Sequence, residues 1–255
     1  MLNMYGTRVL VTGGSRGIGL ASVEAFVQNG CDVVIVHFND GAKAERECAR
    51  FRSATGKKIS HLDADLGTAK SARAVVENAA QLLGGLDIVH SNAGICRFTP
   101  FLELDDENWQ RHCDVNLSAG FWVGQAAAKI MIQQGTGGRI IFTTSVGAFR
   151  SNSTQTHYCA TKGGLHLLAQ GMALELGRYN ITVNCIAPGW IHTDINDAQS
   201  RDEATVAPWL KTHVARGRLG FPNDVQAAVL FFASKESDYS TGATITVDGG
   251  WNSQL

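Results

Sequence analysis

Tyr158 and Lys162 are the residues whose types and spacing point most directly to proton transfer. They stand four residues apart in THYCATKGGLHLLA, a stretch of helical character, so both side chains lie on one face of the predicted helix. A free tyrosine is a poor base at neutral pH because its pKa is about 10. One positive charge at about 4 Å stabilises the phenolate by on the order of 4 kcal/mol at an effective dielectric near 20. The spacing therefore predicts a general acid/base whose pKa Lys162 lowers toward neutrality.

A glycine-rich turn, TGGSRGIG, joins the first predicted strand to the first predicted helix. It places Gly13, Gly17 and Gly19 where a pyrophosphate can approach bare backbone and the amino terminus of the helix. A tight turn without a ligand is the alternative. The preceding strand, the following helix and a second strand beginning at Asp32 favour a dinucleotide site.

The remaining sequence alternates short apolar runs with longer segments of helical period, which is typical of βαβ units. The predicted helices occupy about 17–29, 40–55, 68–83, 105–134, 156–178 and 223–234. The predicted strands are Arg8–Thr12, Asp32–His37, Ile59–Ala64, Leu86–Ser91, Arg139–Thr144, Ile181–Ala187 and Thr244–Val247. The fold class is therefore α/β, a doubly wound, Rossmann-like parallel sheet of seven strands, with residues 1–255 forming a single domain.

A serine and a long segment without clear period are expected to lie beside the active site. Ser145 follows the fifth strand at its carboxyl end, where ligands bind in open α/β sheets, and its hydroxyl can donate to a reacting oxygen. The segment at about 190–220 shows no clear period. A long loop in a compact domain is usually functional, so we expect a lid over the substrate, with a connector of two short helices as the alternative.

Composition narrows the classes of partner. Lys and Arg total 22 against 23 Asp and Glu, so the surface lacks the positive bias needed for nucleic acid. No segment is long and apolar enough for a membrane span, and MLNMYGTRVLVTGG does not resemble a signal peptide. Six cysteines without CxxC spacing and eight histidines without paired spacing predict reduced thiols and no metal site. We expect a cytoplasmic protein without nucleic-acid or membrane partners.

Several motifs, taken in order along the chain, resemble the short-chain dehydrogenase/reductase family. Besides the glycine turn they are DADL at 63–66, NAG at 92–94, YCATK at 158–162, PGWIHT at 188–193 and DGG at 248–250. The resemblance spans nearly the whole chain and implies hydride transfer between a nicotinamide cofactor and a hydroxyl or carbonyl group. It also implies a homotetramer and a catalytic quartet: Asn116, Ser145, Tyr158 and Lys162.

The same resemblance implies roles for the residues that line the cofactor. Asp65 and Leu66 hold the adenine, although an Asp that caps the next helix is the alternative for Asp65. Lys162 binds the nicotinamide ribose, and Asn116 holds a water that links Lys162 to solvent. The full predicted set is Gly13, Ser15, Arg16, Gly17, Ile18, Gly19, His37, Asp65, Leu66, Asn92, Ala93, Gly94, Tyr158, Lys162, Pro188, Gly189, Ile191 and Thr193.

His37 occupies the position that separates NAD from NADP. An acidic residue at the end of the second strand binds the ribose hydroxyls of NAD and repels the 2′-phosphate of NADP, and this chain has no carboxylate there. Arg16 can donate to that phosphate, although Asp40 complicates the assignment. An exposed Arg16 and a purely structural His37 form the alternative. We expect NADP to be preferred and NAD to be possible.

The substrate residues rest on a narrower resemblance. STQTHYCATKGGLH and WIHTDIN resemble bacterial L-rhamnose 1-dehydrogenases and related aldose dehydrogenases, which implies oxidation of an aldose at C1 to a lactone. Gln155 and Asn196 would then bind sugar hydroxyls, and Trp190 would either stack on the sugar or pack the lid. The predicted substrate set is Ser145, Gln155, Tyr158, Trp190 and Asn196. Gly147 departs from that pattern because it offers no hydroxyl.

Two other functions stay open at this point. The same quartet can reduce a 3-oxoacyl thioester, and Lys211, Arg216 and Arg218 would suit an acidic carrier protein. A cofactor-sensing protein that has lost catalysis is the alternative from another class. The intact quartet speaks against it.

Overall fold

The sheet is the frame of the molecule. The computed structural model describes residues 4–201 and 203–253. Within those ranges seven parallel strands pair in the order β3-β2-β1-β4-β5-β6-β7. Their bounds are β1 Arg8–Thr12, β2 Asp32–His37, β3 Ile59–Asp63, β4 Ile88–Ser91, β5 Gly138–Thr143, β6 Ile181–Pro188 and β7 Thr244–Val247. The predicted doubly wound sheet is confirmed, and the strand order reverses between β1 and β4, which creates a switch point for ligand binding.

Helices cover both faces of this sheet, which explains why its strands read as continuous apolar runs. Successive side chains of a strand point to opposite faces. Leu10 and Val34 therefore belong to the core on one face, and Val9 and Val33 to the core on the other, all with no exposed surface. The apolar strands give each face its own packed layer.

The helices follow the predicted positions except in two places, the stretch 105–134 and the segment 190–220. They are α1 Gly17–Gln28, α2 Gly41–Thr55, α3 Ala69–Leu83, α4 Asp106–His112, α5 Ala119–Gln134, α6 Thr156–Leu176, α7 Asp197–Ser200, α8 Glu203–His213 and α9 Gln226–Ala233. The helix predicted over 105–134 is α4 and α5 joined by a π-helical turn at Cys113–Ser118. Such turns occur often at functional sites, and apolar periodicity alone does not reveal them.

The segment 190–220 contains the two short helices α7 and α8. Trp190 packs edge-on against Trp209 at 5.1 Å between ring centroids, and Trp209 packs edge-on against Trp251 at 5.0 Å. This aromatic cluster joins the segment to the carboxyl-terminal region. None of the helices described in the structure is long and apolar enough to cross a bilayer.

Candidate active site

A cavity of about 530 Å³ opens where the carboxyl ends of β1, β4, β5 and β6 meet. Most of the residues selected from the sequence line it. They are Gly13, Ser15, Arg16, Gly17, Ile18, His37, Asp65, Leu66, Asn92, Ala93, Gly94, Ser145, Tyr158, Lys162, Pro188, Gly189, Ile191, Thr193 and Asn196. Gly19, Asn116, Gln155 and Trp190 lie outside that lining.

The proton-transfer group sits between α6 and the end of β5. The Lys162 ammonium is buried, lies 5.7 Å from the centroid of the Tyr158 ring and donates to the carbonyl oxygen of Thr143 at 2.8 Å. The Ser145 hydroxyl oxygen accepts from the backbone N–H of Gly147 at 3.0 Å. Its proton therefore remains available for Tyr158 or for a substrate oxygen.

Burial changes the electrostatics that the sequence predicts. Enclosure by the protein raises the pKa of Tyr158, against the opposite influence of its hydrogen bond with Ser145. The same burial lowers the pKa of Lys162 to about 8. The sequence predicted a lowered pKa for Tyr158 because it considered only the charge of Lys162. It did not include the loss of hydration on burial, which disfavours the charged forms of both groups. A bound oxidised nicotinamide would bring a further positive charge that favours the phenolate.

Asn116 stands in the π-helical turn and fixes the backbone at Ile95. Its Oδ1 accepts from Ile95 N–H at 2.8 Å and its Nδ2 donates to the Ile95 carbonyl at 2.9 Å. Nδ2 also lies 3.3 Å from the hydroxyl of Thr161. Asn116 thus fixes the backbone of the cavity wall at Ile95. Its link through a water molecule to Lys162 stays a prediction.

The glycine turn has the shape that a dinucleotide needs. A Cβ on Gly19 would lie 2.1 Å from the carbonyl oxygen of Gly13, so only glycine allows this close approach. Gly17 has a φ of +53°, in the left-handed region. Arg16 is the N-cap residue of α1, and its side chain makes no capping hydrogen bond. The first turn of α1 holds no acidic residue. The free N–H groups at the amino terminus of α1 suit a pyrophosphate.

His37 and Arg16 form the end of the cavity where the adenosine ribose would lie. His37 is buried, its Nε2 lies 2.9 Å from Nδ1 of His61, and its Nδ1 accepts from Asp40 N–H at 3.3 Å. Arg16 has a half-exposed side chain paired with Asp40 at 2.9 Å and Asp194 at 3.5 Å. The predicted phosphate donor therefore already has two carboxylate partners.

Asp65 is held by a residue that the sequence did not reveal. Arg111 on α4 donates to both of its carboxylate oxygens, at 2.9 and 3.1 Å, and the N–H of Gly67 donates at 2.9 Å. Hydrogen bonding to Arg111 lowers the pKa of Asp65 against the effect of burial. The following helix α3 is capped by Thr68 instead, so the capping alternative does not describe Asp65.

Three predicted substrate residues bind other parts of the protein. Gln155 Nε2 donates to Cys96 Sγ at 3.3 Å, and Trp190 Nε1 donates to the Ser200 hydroxyl at 3.2 Å. Asn196 accepts from Thr193 N–H at 3.0 Å and donates to the Ile191 carbonyl at 2.8 Å. Trp190 adopts the packing alternative, and direct contact of Gln155 or Asn196 with a sugar stays a prediction.

Several unpredicted residues line the cavity, among them Cys96 and Arg97. These two stand two and three residues after Gly94 of the NAG motif, and this nearness in sequence was the only available signal. All six cysteines are free thiols. In residues 4–201 and 203–253, no group of three or more His, Cys, Asp or Glu side chains is placed to hold a metal ion.

The fold and the site define a nicotinamide-dependent oxidoreductase that acts on CH–OH groups. A family model described as enoyl-(acyl carrier protein) reductase, a member of the short-chain group, matches residues 13–252. The chain belongs to the short-chain dehydrogenase/reductase family.

Individual relatives differ in substrate. The chain is 37% identical to an L-rhamnose 1-dehydrogenase (NAD(P)(+)) of Sphingomonas sp. strain SKA58, over 97% of this chain and 96% of that protein. It is 35% identical to a 3-oxoacyl-[acyl-carrier-protein] reductase of Chlamydia pneumoniae, over 98% of each. A gluconate 5-dehydrogenase from Burkholderia cenocepacia, solved with NADP and tartrate, superposes with a TM-score of 0.93 at 35% identity, covering 99% of this chain and 98% of that one.

Proposed function

We propose that the protein oxidises a cyclic aldose at C1 to the lactone, with L-rhamnose as the first substrate to test. The observation that carries the proposal is the 37% identity to an L-rhamnose 1-dehydrogenase across 97% of the chain. NADP is the preferred cofactor in this proposal, and NAD is also accepted.

Each residue of the site has its own role in this oxidation. The C1–H bond breaks with its electron pair, the hydroxyl loses its proton and a C=O bond forms; a bound nicotinamide supplies the hydride acceptor. Tyr158 takes the hydroxyl proton, and Ser145 donates to the reacting oxygen and holds it near Tyr158. Lys162 stabilises the phenolate and would bind the ribose of the nicotinamide. Pro188, Gly189, Ile191 and Thr193 would hold its carboxamide.

The wall of the cavity, which is partly polar, supports a polyhydroxylated substrate. It includes Arg97, Thr144 and Asn196 as well as the apolar Ile95 and Ile195. Hydroxyl groups find hydrogen-bonding partners on such a wall, whereas a long acyl chain requires a continuous apolar surface. The segment 190–220 acts as the lid, because its residues 191 and 193–196 reach the cavity.

The nucleotide end supports dual use of NADP and NAD. The absence of a carboxylate at His37 removes the usual repulsion of a 2′-phosphate. Arg16 can donate to that phosphate once it leaves Asp40 or Asp194. Because those two carboxylates compete with the phosphate, the preference for NADP is modest.

Reduction of a 3-oxoacyl thioester is the second candidate, favoured by the 35% identity to a 3-oxoacyl-[acyl-carrier-protein] reductase. The basic residues that would meet an acidic carrier are less available than the sequence suggests. Lys211, Arg216 and Arg218 are all exposed, but Arg218 donates to the carboxylate of Asp224 at 2.7 and 2.9 Å, so its charge is already paired.

The oligomeric state and location belong to the same proposal. A homotetramer is supported by apolar side chains exposed on α5 and α6, namely Phe121, Leu167 and Leu174. A cytoplasmic location is supported by the six free thiols. Light scattering of the purified protein measures the first, and fractionation of cells measures the second.

A substrate panel tests the reaction. Purified protein is incubated with L-rhamnose, other aldoses, aldonates and an acetoacetyl thioester, each with NAD(H) and with NADP(H), and absorbance at the nicotinamide band is followed. We expect aldose-dependent cofactor reduction, faster with NADP, and lactone as the product. Activity confined to the acetoacetyl thioester, with no sugar oxidised, would overturn the proposal.

A further inference from the structure

His90 lies in β4 below the cofactor site, fully buried, and begins a chain of hydrogen bonds. Its Nε2 is 2.8 Å from the hydroxyl oxygen of Thr143, which lies 3.1 Å from Oδ1 of Asn92. Nδ2 of Asn92 donates to the carbonyl oxygens of Thr12 at 3.1 Å and Gly13 at 3.3 Å. The chain thus runs from a buried imidazole on β4 to the glycine turn after β1.

The direction of each bond follows from the groups at its end. Carbonyl oxygens only accept, so Nδ2 of Asn92 must face the glycine turn and Oδ1 must face Thr143. Oδ1 also only accepts, so the Thr143 hydroxyl donates to it. Because the single proton of that hydroxyl is used in this bond, its oxygen can only accept from His90. His90 therefore carries its proton on Nε2.

The protonation state of His90 agrees with this assignment. Burial lowers its pKa to about 3, so the imidazole is neutral at working pH. Its Nδ1 is buried and has no hydrogen-bonding partner among residues 4–201 and 203–253. With the proton on Nε2, the only unsatisfied group is the lone pair of Nδ1. With the proton on Nδ1, a buried N–H donor would have no partner, and the lone pair of Nε2 would face the oxygen of Thr143.

Thr143 needs this side-chain support because the sheet holds it on one side only. The backbone pairing of β4 with β5 stops at Ser91 and Phe142, whereas that of β5 with β6 continues to Thr143 and Ile186. On the β4 side, the bonds with His90 and Asn92 replace the missing backbone pairing. The carbonyl of this same Thr143 accepts from the Lys162 ammonium at 2.8 Å.

We propose that His90 and Thr143 are positioning residues of the reaction. The N–H of His90 orients the Thr143 hydroxyl, and Thr143 then holds Lys162 through its carbonyl and the glycine turn through Asn92. One chain of hydrogen bonds therefore positions the proton-transfer end and the cofactor end together. The proposal requires the nicotinamide-dependent chemistry of the family and no particular sugar.

Two substitutions at one position test the chain. Thr143→Val keeps the shape and removes the hydroxyl, and Thr143→Ser keeps the hydroxyl. For Thr143→Val we expect a rise in the cofactor Kd and a fall in kcat, each on the order of tenfold, with the KM for substrate nearly unchanged. The acidic limb of its kcat against pH profile should also shift, because Lys162 is displaced from Tyr158. Thr143→Ser should restore most of both quantities.

The outcomes are separable from those of the substrate proposal. Cofactor Kd is measured by fluorescence titration and needs no substrate, and the pH profile uses whichever substrate the panel identifies. A folded Thr143→Val protein with wild-type Kd and an unshifted pH profile would overturn the positioning role.

A measurement on the unmodified protein covers the case in which Thr143→Val does not fold. The ¹⁵N chemical shifts of the His90 ring report its tautomer directly. We expect the Nε2–H tautomer, unchanged from pH 6 to pH 9 and unchanged when NADP is added. A proton on Nδ1, or a titration of His90 in that range, contradicts the proposal whatever the variants do.

Discussion

The two ends of the cavity are built by different means. At the catalytic end, Ser145, Lys162 and Asn116 are each at least nine-tenths buried. At the ribose end, Arg16 leaves 46% of its side chain exposed and Asp194 leaves 59%, and ion pairs hold them. The first end depends on buried hydrogen bonds to backbone, and the second on charges in contact with water.

This difference indicates which properties can change easily. A buried polar group that loses its partner costs on the order of 1 to 3 kcal/mol, so the catalytic end tolerates few substitutions. An exposed ion pair contributes about 0 to 1 kcal/mol and is screened by salt. We therefore expect the reaction to be fixed and cofactor selectivity to be adjustable, and four experiments measure the two ends separately.

Removal of the proton acceptor at the catalytic end should have the largest effect. Tyr158→Phe keeps the ring and removes the hydroxyl, so kcat should fall roughly a thousandfold, within the range of general acid/base contributions. Cofactor Kd should change by less than about twofold, since the substitution leaves the glycine turn intact. Steady-state kinetics and fluorescence titration measure the two quantities. Turnover within tenfold of wild type would show that another group moves the proton.

Acidification should destabilise the protein through its buried histidines. The pKa of His90 is lowered by burial to about 3, and burial also lowers that of His112. The unfolded chain, with histidine pKa about 6.5, binds more protons below that pH, so the free energy of unfolding falls as pH decreases. His90 alone accounts for on the order of 2 kcal/mol by pH 5.

Urea unfolding at pH 7, 6 and 5 measures this loss, and His90→Gln is the matched variant because it keeps an N–H donor without a titrating ring. The variant should lose less stability on acidification than wild type. Parallel pH dependences for the two proteins would show that His90 is not responsible.

A carboxylate at the ribose end should reverse cofactor choice. His37→Asp places a group that accepts from ribose hydroxyls and repels a 2′-phosphate, so the ratio of kcat/KM for NAD to that for NADP should rise about tenfold. His37→Asn is the control of similar size without the charge, and it should move the ratio far less. An unchanged ratio in His37→Asp would refute our assignment of this position.

The smallest effects should come from the ion pairs of Arg16. Arg16→Gln should raise the KM for NADP about threefold at low salt, leave that for NAD unchanged and alter stability by less than about 1 kcal/mol. Asp40→Asn should act in the opposite direction on NADP, because it frees Arg16 from its partner at 2.9 Å. Kinetics at low and at high ionic strength test both, and an effect on NADP that persists in high salt would argue against a screened charge.

The sheet was predictable from the sequence because its strands are apolar on both faces. β1, β2 and β7 have the predicted bounds, since a run such as VVIV between a turn and a helix has no other way to bury its side chains. The π-helical turn at Cys113–Ser118 was not predictable, because one extra residue in a turn does not break an apolar pattern.

In the site, predictions succeeded where local spacing decides geometry and missed what tertiary contacts decide. The glycine turn and the pair Tyr158 and Lys162 are set by neighbours in sequence. Arg111, by contrast, reaches Asp65 across 46 positions of sequence, and no local pattern marks it. The raised pKa of Tyr158 likewise depends on burial that only the folded chain supplies.

The π-helical turn also makes the site sensitive to insertion and deletion. Each residue of an α-helix rotates the chain by about 100°, so deleting one residue from Cys113–Ser118 would turn Asn116 away from Ile95 or rotate α5 against the sheet. Point substitutions elsewhere in this helix can accumulate one at a time. A change in its length, by contrast, alters the contact of Asn116 with Ile95 or the packing of α5 in a single step.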